Sequence, residues 1–157
     1  MATRSIIGYY NEETNKIHAT YCHLDGYPEW MVDALRDLVT DHGFDAFAAN
    51  IENAAKGGGI RSIPKNGKEW NCFNESDTDW LETLPAALSA HQINDLYQDS
   101  GIEHVWVLSR QNKPLVNKQS AIIAHMPVGS ENSWTYRDAF HMPKSAAKTD
   151  QMVLSFA

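Results

Sequence analysis

Residues 16–35, KIHATYCHLDGYPEWMVDAL, decide how the chain is organised. The first nine are rich in β-branched and aromatic side chains and read as a strand. Alternation places Ile17, Ala19, Tyr21 and His23 on one face, and His18, Thr20, Cys22 and Leu24 on the other. Asp25-Gly26-Tyr27-Pro28 then forces a turn. Pro28 suits the first turn of a helix, where its missing N–H is not needed, and Glu29 adds favourable charge at that end. Trp30, Met31, Ala34, Leu35, Leu38 and Val39 form one apolar stripe at helical spacing, with Asp33, Arg36, Asp37 and Asp41 facing water. Gly43 ends the helix.

Upstream, TRSIIGYY (3–10) reads as a strand, and NEETN (11–15) is a turn by composition, so 3–24 form a hairpin. Downstream, Phe44, Phe47, Ala48, Ile51 and Ala55 mark the buried side of a second helix at 45–55. Residues 56–72 read as a long loop holding a short strand. A third helical region is expected at 77–98, capped by Ser76 or Asp77 and divided at Pro85. IEHVWVLS (102–109) is the clearest strand, and QSAIIAHMPV (119–128) is its expected hairpin partner. SWTYRDAF fits a short edge strand inside an irregular segment at 129–157. Two hairpins bracketing about three helices predict an α+β fold with an antiparallel sheet.

The chain has 157 residues, which predicts a single domain with a real core. No apolar run reaches the length of a membrane span, and the first residues lack the apolar core of a signal peptide. Two cysteines without a C-x-x-C pairing fit a reducing compartment. A net charge of −7 disfavours direct binding to nucleic acid or to anionic membranes. The acids are scattered, unlike the array expected of a DNA mimic.

His18-x-Thr20 is half of a two-histidine phosphoesterase signature. None of the other six histidines is followed two residues on by Ser or Thr, so the second half is missing. Cys22, His23 and Asp25 are metal-ligand types, but adjacent strand residues point to opposite faces. His104 and His125 come close if their strands pair. The loop at 56–68 gathers Lys56, Arg61, Lys65 and Lys68 around three consecutive glycines, a composition suited to phosphate. It is not a nucleotide-binding P-loop. The chain lacks Gly-x-Ser-x-Gly, H-E-x-x-H and Gly-x-Gly-x-x-Gly after a strand. Trp70, Trp80 and Trp134 fall in polar or loop sequence, where they serve packing, an interface or a base-stacking platform.

Thr3-Arg4-Ser5-x-Ile7-Gly8, followed by Tyr21-Cys22-His23-x-Asp25-Gly26-Tyr27-Pro28, resembles a group of small proteins of tailed bacteriophages. In that group the position of Leu24 is often Trp. The resemblance covers about the first 40 residues, a quarter of the chain. It implies a mobile-element origin and action in the cytoplasm of an infected bacterium, and it carries no catalytic residue set.

The expected function is non-catalytic counter-defence, by sequestering a nucleotide-type signal or by binding a host defence protein. No cofactor is expected. In the nucleotide version Arg4, Arg61 and Lys65 hold phosphate, Tyr21, Tyr27 or Trp70 stack on a base, and His23 and Asp25 fix polar groups. A homo-oligomer is expected, because subunit boundaries add pocket surface. The alternative is a small phosphodiesterase or nucleotide hydrolase with His23 as base, Asp25 orienting it, and His18 or His104 assisting. A virion component is a further alternative.

Overall fold

A computed structural model describes residues 2–65, 70–75, 78–86, 89–113, 118–129 and 135–138, with the backbone alone at 111–113, 118–120 and 135–138. The fold is α+β. Strands β1 (Arg4–Asn11) and β2 (Lys16–Cys22) form the first hairpin, in register from Ser5 opposite Cys22 to Asn11 opposite Lys16. Helices α1 (Pro28–His42) and α2 (Phe44–Ala55) follow, then β3 (Ile60–Ser62), β4 (Asn71–Cys72), β5 (Glu82–Pro85) and α3 (Ala90–Tyr97). Strands β6 (Ile102–Lys113) and β7 (Lys118–Pro127) form the second hairpin, and β8 (Thr135–Asp138) pairs antiparallel with β7.

The sheet runs β4-β3-β2-β1-β6-β7-β8, with β5 added to β2. It is mixed, not wholly antiparallel, because β1 pairs parallel with β6 and β2 parallel with β3. The reason lies in the connections. Between β2 and β3 the chain crosses over through two helices, which returns it in the same direction.

The helices divide between the two sheet faces. On one, α1 and α2 bury Met31, Leu35, Leu38, Phe47 and Ile51 against Ile7, Cys22, Trp106, Leu108 and Ile123. On the other, α3 buries Ala90, Ile93 and Tyr97 against Ile6, Ile17, Ala19, Val105 and Met126. Helix α1 starts at Pro28 and ends at Gly43, whose φ of 88° suits glycine and whose N–H bonds Val39 O at 2.8 Å.

The helix expected across 77–98 is replaced by two elements. Pro85 cannot sit inside a helix, and residues 82–85 instead pair antiparallel with the free edge of β2 at Lys16–Ala19. Helix α3 begins later, with Ser89 and Gln92 in a reciprocal capping box. Residues 76 and 77 lie outside the described ones. Among the described residues no helix is long and apolar enough to cross a membrane.

Candidate functional site

Face alternation along β2 sends Tyr21 and His23 to the α3 side of the sheet. Arg4 and Arg61 belong to that side as well, Arg4 as the neighbour of Ser5 and Arg61 as the neighbour of Ile60, both of which face the other way. The Tyr21 hydroxyl and His23 Nδ1 are 2.5 Å apart. The Arg4 guanidinium lies beside the same hydroxyl. Burial raises Tyr21 above the ordinary tyrosine range, while the charge of Arg4 works in the opposite direction. Gly101, at φ +83°, leaves room for Arg4, since a Cβ there would meet its Nη1 at 3.1 Å.

Two aromatic residues complete this surface. Trp80 stacks on Tyr21 at 4.7 Å and 18°, and Phe73 lies 6.0 Å from His23, edge to face. Arg61 covers the Phe73 ring at 5.0 Å. Trp80 is 38% exposed, so the stack reaches solvent. The C-terminal end of α2 sets both rings in place. Phe73 N–H bonds Gly59 O and Trp80 N–H bonds Ala55 O. Sequence reading missed Phe73; it set Trp80 inside the helical region at 77–98 and also among the candidates for a base-stacking platform.

The glycine loop itself is a helix cap. The N–H groups of Gly57, Gly58 and Gly59 bond the carbonyls of Ala54 and Ala55, so they are not turned toward an anion. Gly59, at φ +108°, also passes close to β2, where a Cβ would meet Tyr21 O at 2.6 Å.

The other sequence candidates lie elsewhere. Asp25 adopts φ 58° in the turn and forms neither an ion pair with Arg4 nor a hydrogen bond with His23. Tyr27 is the residue that starts α1. Lys65 sits 3.7 Å from Asp33 and over the Trp30 ring. Trp70 packs edge-on against Phe47 on the opposite side of the sheet. The candidate ligand set thus splits, with Arg4, Tyr21, His23 and Arg61 together and Asp25, Tyr27, Lys65 and Trp70 apart. Lys68 and Trp134 lie outside the described residues.

Two further histidine arrangements stand on the α1–α2 side. His18 Nδ1 is 2.6 Å from Glu52 Oε1, and His18 Nε2 is 3.0 Å from Thr14 Oγ1. Tyr9 donates to the same Glu52 oxygen at 2.5 Å. Burial pushes the Glu52 carboxyl up, but the bonds from Tyr9 and His18 outweigh it and hold the group below its ordinary value. Thr20 of the His18-x-Thr20 tripeptide is occupied, donating to Trp80 O at 2.7 Å. At the other end of the sheet His104 Nδ1 and His125 Nε2 are 2.8 Å apart, and His125 stacks on Trp106 at 4.1 Å. Among the described residues no group of three or more His, Cys, Asp or Glu gathers to hold a metal ion.

No family model matches the chain, and no curated protein and no solved structure matches it either.

Proposed function

We propose that this chain is a phage accessory protein that counters a bacterial defence by binding a nucleotide-derived signal without turning it over. The observation that carries the reading is the Tyr21–Trp80 stack with Arg4 beside it and Arg61 next to it over Phe73. A half-exposed aromatic pair offers a base its π face, and two guanidinium groups offer a phosphate charged, bidentate donors. His23, tied to Tyr21, supplies a further polar contact at the base. The phage context rests on the resemblance of the two N-terminal motifs, and the proposed site of action is the cytoplasm of the infected host. A homo-oligomer would extend this open surface into an enclosed pocket.

A second reading, a small hydrolase, is favoured by the Thr14–His18–Glu52 chain, which has the order of a nucleophile, a base and an orienting acid. It ranks lower because the N–H groups of Glu13 and Thr14 are already bonded to Asn11 Oδ1, leaving them unavailable to a developing oxyanion.

The test is incubation of the purified protein with cyclic nucleotides, ADP-ribose compounds and NAD, with bound and free fractions read by mass spectrometry. An intact nucleotide released on denaturation is the expected result. A converted nucleotide would replace this reading with the hydrolase, and an empty protein would leave a host protein as the partner to seek by pull-down.

A further inference from the structure

The tip of the first hairpin and the start of α2 enclose a cleft of about 260 Å³ on the α1–α2 side of the sheet. Its walls are aromatic. Tyr9, from β1, is 6% exposed and meets Phe44, from α2, edge to face at 6.2 Å, and Tyr10 also lines the cleft. Among the described residues of the lining, Glu12, Glu13 and Asp45 supply three carboxylates against the one guanidinium of Arg110. The turn that carries Glu12 and Glu13 is closed from within. Asn11 Oδ1 accepts the N–H groups of Glu13 and Thr14 at 2.9 and 3.2 Å, and Asn15 N–H bonds Asn11 O at 2.9 Å.

The cleft already receives one cation, supplied by the chain itself. The Arg110 guanidinium lies over the Phe44 ring at 5.0 Å and pairs with Asp45. A ring face with a carboxylate beside it is the combination that holds an organic cation. Arg110 answers Asp45, and Glu12 and Glu13 remain. Among the described residues neither of them forms an ion pair. Burial chiefly pushes the Tyr9 hydroxyl up to about 12, with the bond to Glu52 and the charges of Glu52 and Glu13 adding to it. Tyr9 therefore stays a neutral ring within reach of the Glu13 charge. Carboxylates alone would serve a hard metal ion, which takes oxygen ligands and gains little from rings. Three aromatic walls favour a cation with an organic, weakly hydrated surface.

We propose that this cleft binds an alkylammonium group. Its N–H donors bond the Glu12 and Glu13 carboxylates, and its methylenes lie among Tyr9, Tyr10 and Phe44. The volume falls below the roughly 300–1,000 Å³ of sites for drug-sized ligands and suits a slimmer chain, either a free polyamine or the lysine side chain of a partner. The cleft and the Tyr21–Trp80 stack stand on opposite sides of the sheet, so the alkylammonium site holds if the nucleotide reading fails.

The test titrates the wild-type chain with spermidine, with a blocked peptide carrying one lysine, and with Mg²⁺, all at constant ionic strength, and reads backbone amide NMR shifts. Saturable shifts centred on residues 9–13 and 44–48 are expected with spermidine or the lysine peptide, and the tighter of the two names the source of the ammonium group. Glu12→Gln combined with Glu13→Gln should weaken binding about tenfold or more, the factor for a lost hydrogen bond to a charged group. Asp95→Asn combined with Asp99→Asn removes the same charge from exposed positions on α3 and the turn after it, and should leave binding unchanged. Mg²⁺ should fail to displace spermidine at equal concentration. No shifts in the cleft, equal weakening by the two pairs of substitutions, or displacement by Mg²⁺ would each overturn the site.

Discussion

Trp106 donates its indole N–H to Gly26 O at 2.8 Å, a buried bond between residues 80 positions apart. It pins the strand-to-helix turn to the centre of the sheet. The same turn is held from β1, since Gly26 N–H bonds Thr3 O at 3.0 Å. Thr3-Arg4-Ser5 and Asp25-Gly26-Tyr27-Pro28 are therefore two halves of one unit, joined by main chain and not by an Arg4–Asp25 ion pair. Trp106→Phe should destabilise the protein by about 2 kcal/mol, because Gly26 O loses its donor in a buried setting. Gly26→Ala should cost about 1–3 kcal/mol by overpacking, since a Cβ there would meet Ser5 Cβ at 2.6 Å and Oγ at 2.7 Å. Urea unfolding with an unchanged m-value measures both.

Glu52 bonds both Tyr9 and His18 and titrates below its ordinary value in the folded state. A depressed carboxyl pKa contributes stability above the unfolded value and loses it as pH falls through the folded one. Glu52→Gln should narrow the stability gap between neutral and acidic solution. Denaturant midpoints of the two proteins, compared from pH 7 down to about pH 3, test this, and parallel curves would refute it.

His104 is held below the ordinary histidine value by burial, which outweighs the opposing charges of Glu103 and Glu29. The folded state therefore resists the proton that the unfolded chain accepts. Stability should fall as pH drops below about 6.5 and level off once the folded pKa is passed. His104→Gln should flatten that part of the curve, as read by thermal melting across the range.

Cys22 and Cys72 differ in reach. Burial pushes the Cys22 thiol up to about 12, and the side chain is 0% exposed. Alkylation of the native protein should label Cys72 alone, with Cys22 reacting only on unfolding. Both residues pair with Ile60, from opposite sides. That puts two strand spacings, about 9–10 Å, between them, beyond the roughly 7 Å limit for a disulfide. Mild oxidation should leave the intact mass of the monomer without the 22–72 bridge.

Trp80→Ala and Arg61→Ala should leave folding intact, because Trp80 is 38% exposed and Arg61 is on the surface. Each should weaken retention of a bound nucleotide about tenfold or more, since a stacked base is worth about 1–3 kcal/mol. Equilibrium dialysis with the retained nucleotide measures it.

Local pattern made much of the fold legible. Alternation in 16–24 placed Tyr21 and His23 on one face and Cys22 on the other, and the stripe from Trp30 to Val39 defined α1. Both hairpins followed from turn-type residues between β-rich runs, although the second turn, read across 110–118, is shorter than that because β6 continues to Lys113. These features depend on neighbours a few residues away, which is the range that periodicity and capping chemistry cover. The strand at 82–85 escaped because Leu81, Leu84 and Leu88 also fit a helical stripe, and only the open edge of β2 favoured the extended form.

By itself, the sequence determined the α+β class, the first hairpin, the entry and exit of α1 at Pro28 and Gly43, and the face on which each β2 side chain stands. The tertiary structure decided the rest. Parallel pairing of β1 with β6 joins segments about 100 residues apart, and no local period encodes it. That pairing brings His104 beside Ser5. The Gly57–Gly59 cap carries Phe73 and Trp80 to Tyr21, while the crossover through α1 and α2 sends Trp70 to the opposite face. Candidate residues that look alike in the sequence were sorted into separate sites by these long-range pairings, because strand order and crossover set which side of a sheet a loop reaches.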